Sequence, residues 1–303
     1  MKLSVVTTLY KSESFLEEFV KRMAKAAECL TQDYEIIMVD DGSPDNSLTA
    51  ALQLKKTFSR LQIVELSRNF GHHRAMMAGL DLAKGDLVFL IDVDLEEPPE
   101  LLTKFHEELK NVQCDVIFGV QESRQGGIVK RLGGKIGWWL IELLMPIKIT
   151  TNQSTVRLMT ADYVRALVSH KERATAIVGL WVISGFKQVA VKFQKSSRDD
   201  TSYTFLKRLQ ALLDSITSFS ERPLYFIFFL GLGISLLSVL VSGVLIYIKL
   251  SGAVLSGWVS VMISVWMLGG LIILCLGTVG LYISRIFIET KHRPYVIIRK
   301  IYP

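Results

Sequence analysis

The chain has 303 residues, 50% of them hydrophobic, and a formal net charge of +6. A mean hydropathy of +0.35 sets it apart from an ordinary soluble protein, and the charge does not mark a nucleic-acid binder. Residues 285–303 hold five Lys/Arg and one Glu, so +4 of the +6 lies in the last segment, where anionic lipid headgroups explain it better. The three cysteines, Cys29, Cys114 and Cys275, have no metal-ligand spacing, which excludes a zinc cluster and a disulfide framework.

In chain order, "LSVVTT" reads as a strand. "SFLE" then offers a capping box at Ser14 and Glu17 for a helix running to about Cys29. "YEIIMV" is a second strand, followed by the turn "DDGSPDNS" and a helix to about Phe58. "LQIVEL" is a third strand, "HHRAMMAGLDLA" a helix, "DLVFLI" a fourth strand, 99–110 a helix and "CDVIFG" a fifth strand. Short apolar strands alternating with helices predict an α/β domain whose mainly parallel sheet is buried on both faces. Ligands in such sheets bind at the carboxyl ends of the strands. Asp40 and Asp41 follow the second strand and Asp92 and Asp94 the fourth, so the fold should bring two acidic clusters to one rim.

Beyond residue 120 the pattern changes. Ile128, Leu132, Ile136, Trp139 and Leu143 fall at helical spacing over 128–144, as do Phe205, Leu209, Leu212, Ile216 and Phe219 over 203–219. Basic residues beside Trp and Phe predict helices in a membrane interface. From Pro223 to Ile248 there are 26 residues without a formal charge, and from Leu250 to Ser284 another 35. Either run can cross roughly 30 Å of hydrocarbon as a helix, predicting spans at about 225–248 and 258–283. The first ten residues enter a strand without a signal-peptide pattern. Lys249 is the one charge between the spans, whereas Arg285, Lys291, Arg293, Arg299 and Lys300 follow them. The positive-inside rule therefore places both termini in the cytoplasm, for a two-pass protein of a bacterial inner membrane.

"DVDLEEPPE", residues 92 to 100, puts five carboxylates into nine positions at the end of an apolar strand. Pro98 and Pro99 suit a first helical turn, and carboxylates favour a helix N-terminus. Asp-x-Asp with a further acid two residues on also presents hard oxygen ligands to Mg²⁺ or Mn²⁺, ions that bridge carboxylates to substrate phosphates.

The ordered series "VVTTLYKSESFL", "IIMVDDGSPDNS" and "SRNFGHHRAMMAGLDLAKGDLVFLIDVDLEEPPE", with the terminal pair of apolar helices, resembles inverting family 2 glycosyltransferases of the GT-A fold. Within them the likeness is to the dolichyl/undecaprenyl-phosphate glycosyltransferase group. It covers nearly the whole chain and is most specific from Ser67 to Glu100. The resemblance implies that Thr8, Tyr10, Asp40 and Asp41 line the nucleotide pocket, that Asp92 contacts ribose or phosphate, and that Asp94 and Glu96 hold the metal. It makes Asp92, Asp94 and Arg131 the catalytic candidates. Arg124 and Arg131 would face the donor diphosphate or a lipid phosphate, and Arg198 matches an arginine just before the interfacial helix. Guanidinium groups suit phosphate oxygens. His72 and His73 open the helix after "RNFG", where capping or a surface role is expected.

The chain departs from the group at Thr8 and Lys11, where Pro and Asn are usual, and at Gln121, where an arginine is common. In "TNQSTVRLM", residues 151–159, Thr155 and Val156 replace an Asp and an aromatic residue, while Arg157, Leu158 and Met159 match. Asn152, Thr155 and Arg157 are the acceptor candidates, and neither Asn152 nor Thr155 is an ordinary base. The sequence thus implies a GT-A domain over 1–202, an amphipathic juxtamembrane helix over 203–222, two membrane helices over 223–284 and a basic tail over 285–303. Its partners would be a nucleotide-diphosphate sugar, a polyprenyl-phosphate or other lipid-linked acceptor, membrane lipids and no nucleic acid, with room for a homo-oligomer. Extension of a lipid-diphosphate-linked saccharide is the rival chemistry, and a non-catalytic nucleotide-sugar-binding scaffold the rival class.

Overall fold

In a computed structural model of the protein, residues 1–121, 150, 152–171, 177–194, 216, 220–251 and 257–303 are described. The chain divides into two compact units. The first holds the strands β1 (Leu3–Leu9), β2 (Tyr34–Asp40), β3 (Leu61–Leu66), β4 (Leu87–Leu90), β5 (Val116–Gln121), β6 (Gln153–Thr160), β7 (Gln188–Phe193) and β8 (Ile298–Tyr302). Its helices are α1 (Leu16–Glu28), α2 (Ser47–Thr57), α3 (His72–Leu82), α4 (Leu101–Val112), α5 (Ala161–Ser169) and α6 (Ile177–Ile183).

The strands form one sheet in the order β7-β5-β6-β4-β1-β2-β3-β8. Parallel pairing joins β4, β1, β2 and β3, while β6 runs antiparallel between β4 and β5. All seven residues of β1 are buried, as a central parallel strand covered on both faces requires. The five strands and four helices expected before residue 121 are present. Their core gathers Phe19 of α1, Ile36 of β2, Phe89 of β4 and Phe105 of α4, with the Phe89 and Phe105 rings edge-on at 6.3 Å.

Helix α1 buries Leu16, Phe19, Val20 and Met23 and keeps Glu17, Glu18 and Lys21 in water. The expected capping box does not form. Residues Glu13–Phe15 make a 3-10 turn first, and α1 opens after Phe15 without a side-chain cap. Ser14 and Glu17 therefore stand in the wrong register to exchange hydrogen bonds with the first helical turn. The sequence reading also contained no strand in the tail, yet β8 pairs antiparallel with β3 and covers its edge. The adjacent Arg299 and Lys300 in "IRKIY" disguise this strand as a membrane-facing tail.

The second unit contains α7 (Arg222–Leu250) and α8 (Trp258–Thr290), of 29 and 33 residues. Among the described residues one stretch, Met267–Thr290, is long and apolar enough to cross a membrane. Tyr282 of α8 donates a 2.6 Å hydrogen bond to the Ser220 carbonyl. The helix expected over 128–144, and that over 203–219 apart from Ile216, lie outside the described residues.

Candidate functional site

The candidate site is the rim formed by the carboxyl ends of β1, β2 and β4. Thr8, near the end of β1, is 7% exposed, and Tyr10 just beyond it is 48% exposed. The backbone N–H of Tyr10 donates to Ser12 Oγ at 3.1 Å, and that of Lys11 to Ser43 Oγ at 2.8 Å. Asp45 fastens this turn: its carboxylate accepts from the Ser47 hydroxyl at 2.6 Å, from the Ser43 hydroxyl, and from the Ser47 and Glu13 N–H groups. Burial opposes its charge, but those hydrogen bonds outweigh the effect and bring its pKa down to about 2. Asp45 was not among the expected site residues, although Ser-x-Asp-x-Ser in the turn was a visible signal.

Asp40 and Asp41 end β2 and are both buried. Asp41 accepts from the N–H groups of Phe70 at 2.7 Å and Gly71 at 2.9 Å, which fixes the "RNFG" loop against the end of β2. Desolvation raises its pKa, against the pull of those two hydrogen bonds and the nearby His72 and Arg68. Gly42 makes this approach feasible. Its φ is +60°, and a Cβ there would lie 2.5 Å from the Asn69 nitrogen. Asp40 Oδ1 is buried with no hydrogen-bond partner, and desolvation pushes this carboxyl up to about 6, with further contributions from Glu65, Asp41 and Asp45.

His72 joins two of the strand ends. Its Nδ1 lies 2.9 Å from Thr8 Oγ1, and its Nε2 lies 3.3 Å from Asp92 Oδ1. Partial desolvation opposes the charged ring, but the facing Asp92 carboxylate, aided by Asp41 and Asp94, outweighs it and the net shift is upward. The expectation for His72 is capping or a surface role, and the ring is 48% exposed. In fact Gly71 occupies the cap position, with φ of 100°, and the imidazole faces the rim. Two consecutive histidines opening the helix after "RNFG" were the available signal.

The acidic segment turns sharply after β4. Leu95 has φ of 62°, and this bend lets the Glu96 N–H donate to Asp94 Oδ1 at 3.0 Å. Asp92, Asp94 and Glu96 are half-buried, whereas Glu97 is buried and accepts from the Ser154 hydroxyl of β6. Among the described residues no group of three or more His, Cys, Asp or Glu is arranged to hold a metal ion. Asp94 and Glu96 still suit a hard divalent ion, since two carboxylates completed by substrate phosphates and water are an ordinary magnesium set.

The acceptor candidates lie on and beside β6. Asn152, with φ of 58°, and Thr155 are half-buried. Arg157 is fully buried, opposite Leu90 in the β4–β6 register, with its guanidinium 3.0 Å from the Trp181 ring centre and its Nε donating to the Thr155 carbonyl at 3.3 Å. Desolvation lowers its pKa to about 9, opposed by Tyr163 and Glu97. The site thus unites Thr8, Asp41, Asp92 and Asp94 around His72, while Arg157 stands in the interior. Arg124, Arg131 and Arg198 lie outside the described residues.

A model of "Glycosyl transferase family 2" matches residues 4–167. A Mycobacterium tuberculosis (strain CDC 1551 / Oshkosh) protein named among glycosyltransferases is 50% identical over 303 residues, 100% of this chain and 89% of that protein. The bactoprenol glucosyl transferase of Shigella phage SfV is 31% identical over 306 residues, covering 99% of this chain and 98% of that one. In structure the chain resembles glucosyl-3-phosphoglycerate synthase from Mycobacterium tuberculosis, solved with Mn²⁺, uridine-diphosphate-glucose and phosphoglyceric acid. The TM-score is 0.50 at 18% identity, over 71% of this chain and 79% of that chain. With its α/β sheet, its rim of strand-end acids and a family match across more than half its length, the chain belongs to glycosyl transferase family 2 and is a glycosyltransferase.

Proposed function

We propose that the protein is a membrane-bound, metal-dependent inverting glycosyltransferase that moves a sugar from a nucleotide-diphosphate sugar to polyprenyl phosphate at the cytoplasmic face. The observation that carries the donor site is the unsatisfied Asp40 Oδ1 beside Asp41 at the rim. A buried carboxylate oxygen without a partner is costly, and an N–H or O–H of a bound nucleoside would satisfy it. Thr8 and Tyr10 close the same pocket, and Asp92 meets the ribose or a phosphate.

Asp94 and Glu96 would hold the divalent ion, which would supply Lewis-acid stabilisation to the departing diphosphate. Arg124, Arg131 and Arg198 contribute further positive charge toward donor and lipid phosphates. The acceptor phosphate attacks the anomeric carbon directly, the bond to the nucleoside diphosphate breaks, and nucleoside diphosphate leaves. An ionised phosphate is already a nucleophile, so no side chain must remove a proton. Thr155, in place of the acid usual in the polyprenyl-phosphate group, does not exclude that acceptor, to which Asn152 and Thr155 can donate hydrogen bonds; the same polar stretch favours a lipid-diphosphate-linked saccharide as the second reading.

The chain of the lipid acceptor would lie beside two membrane helices, α7 and α8. Their apolar side chains support this: Phe226, Leu236, Ile273 and Leu276 are each more than 60% exposed. The nearly full-length likeness to a bactoprenol glucosyl transferase supports the lipid acceptor. In membranes given labelled nucleotide sugars and polyprenyl phosphate, Asp94→Ala should abolish transfer while leaving the fold intact. Near-normal transfer by that variant would remove the metal role.

A further inference from the structure

We propose that His72 is a positioning residue of the donor site, clamping the ends of β1 and β4 so that Thr8 and Asp92 meet the nucleoside diphosphate in one fixed geometry. This rests on the donor-site reading above and adds a residue to it. The imidazole is the described side chain that reaches both Thr8 Oγ1, at 2.9 Å, and Asp92 Oδ1, at 3.3 Å. Asp92 Oδ1 is buried and has no hydrogen-bond partner, and the imidazole Nε2 faces it at 3.3 Å, within ion-pair range.

The ring is held from below as well as from its two nitrogens. It belongs to the first turn of α3, whose preceding Gly71 N–H is bound by Asp41. Asp41 therefore locates the start of α3, α3 locates His72, and His72 locates the residues at the ends of β1 and β4. Hydrogen bonds from the RNFG loop to Asp41 and between His72 and Thr8, together with the His72–Asp92 ion-pair contact, thus link the ends of three neighbouring strands. Its ring is also 48% exposed, so it sits at the mouth of the rim rather than in the core. Core strands β1 and β4 pair through their backbones and do not need the imidazole to stay together. Geometry of this kind governs ligand affinity, since a carboxylate free to rotate must be ordered again on binding.

The test uses the full-length protein in detergent, with UDP, GDP, dTDP and CDP titrated separately in the presence of Mn²⁺, alongside the thermal midpoint without ligand. The wild type should bind one of the four. His72→Ala should weaken that binding by about tenfold, the worth of one good hydrogen bond to a charged group, at an unchanged thermal midpoint. His72→Gln, whose amide can both donate and accept, should recover most of the affinity. In turnover the same loss should appear in the donor KM and leave kcat nearly constant. Equal binding by wild type and His72→Ala would overturn the positioning role alone, as would a drop in thermal midpoint that accounts for the loss. Failure of the wild type to bind any of the four would instead overturn the donor-site reading and this inference with it.

Discussion

The Tyr302 phenol donates a 3.0 Å hydrogen bond to Glu65 Oε2, joining the end of the chain to a strand 237 residues earlier. Arg299 Nη1 lies 3.2 Å from the other Glu65 oxygen, and the Ser67 N–H donates to the Ile297 carbonyl at 2.9 Å. Ser67 begins the loop whose Phe70 and Gly71 hold Asp41. Deleting residues 293–303 should therefore accelerate amide exchange through Leu61–Leu66 and the loop to Gly71, because an uncovered edge strand loses its outer pairing. Tyr302→Phe should give a smaller increase in the same segment. Unchanged protection after the deletion would mean that β8 is not a stable part of the sheet.

Gly42→Ala should cost about 1–3 kcal/mol, from backbone strain at positive φ, and more if the Asn69 backbone cannot yield. Urea unfolding of the purified protein measures this. Nucleotide affinity should fall too, because the displaced loop carries the two N–H donors to Asp41.

Asp40→Asn should separate stability from function. Burial raises the Asp40 pKa from 3.8 to about 6, so its proton is held more tightly in the folded chain than in the unfolded one. Stability associated with the protonated form is complete below 3.8 and is lost as the pH climbs through about 6. At neutral pH the ionised carboxyl then destabilises the fold by on the order of 1–3 kcal/mol. The asparagine variant should unfold at a higher temperature than the wild type at pH 7 and no higher at pH 4, while binding nucleotide more weakly. A midpoint at pH 7 equal to or below the wild type's would contradict the cause assigned to that shift.

Phe89→Ala should remove about 3–5 kcal/mol, since the ring is fully buried against Phe105 and leaves a cavity when truncated. Arg22→Ala should cost no more than about 1 kcal/mol, despite its two contacts with Glu100 at 2.8 and 3.0 Å, because both partners are solvated. Denaturant midpoints of the two variants give the comparison directly.

Residue periodicity exposed the sheet because local pattern and burial agree there: β1, β2, β3 and β4 are short apolar runs ended by acids or turn residues. Strand-end logic likewise located Asp40, Asp41, Asp92 and Asp94 on one rim before any geometry was known. What escaped depends on long-range pairing. β8 is legible only once β3 is known to lack an outer neighbour, and the nearness of His72 to Thr8 and Asp92 only once α3 is packed against β1 and β2. The capping box at Ser14 failed because a 3-10 turn moved the helix start to Leu16, a shift of one residue that spacing alone does not register. Glu97 is one more acid of the 92–100 segment in the sequence, and Arg157 an acceptor candidate. Their burial beside Ser154 and Trp181 follows from the antiparallel insertion of β6, which residue pattern did not reveal.

Sugar transfer to a lipid phosphate is read out by label passing from a panel of nucleotide sugars into organic-extractable material. Membranes containing the protein would receive undecaprenyl phosphate with Mn²⁺ or with EDTA. Label that requires both the metal and the polyprenyl phosphate, and that vanishes in Asp94→Ala, is the predicted result. No label from any donor, in membranes where a control enzyme works, would contradict it, and label that appears only after a preassembled lipid-diphosphate saccharide is added would move the acceptor to that class.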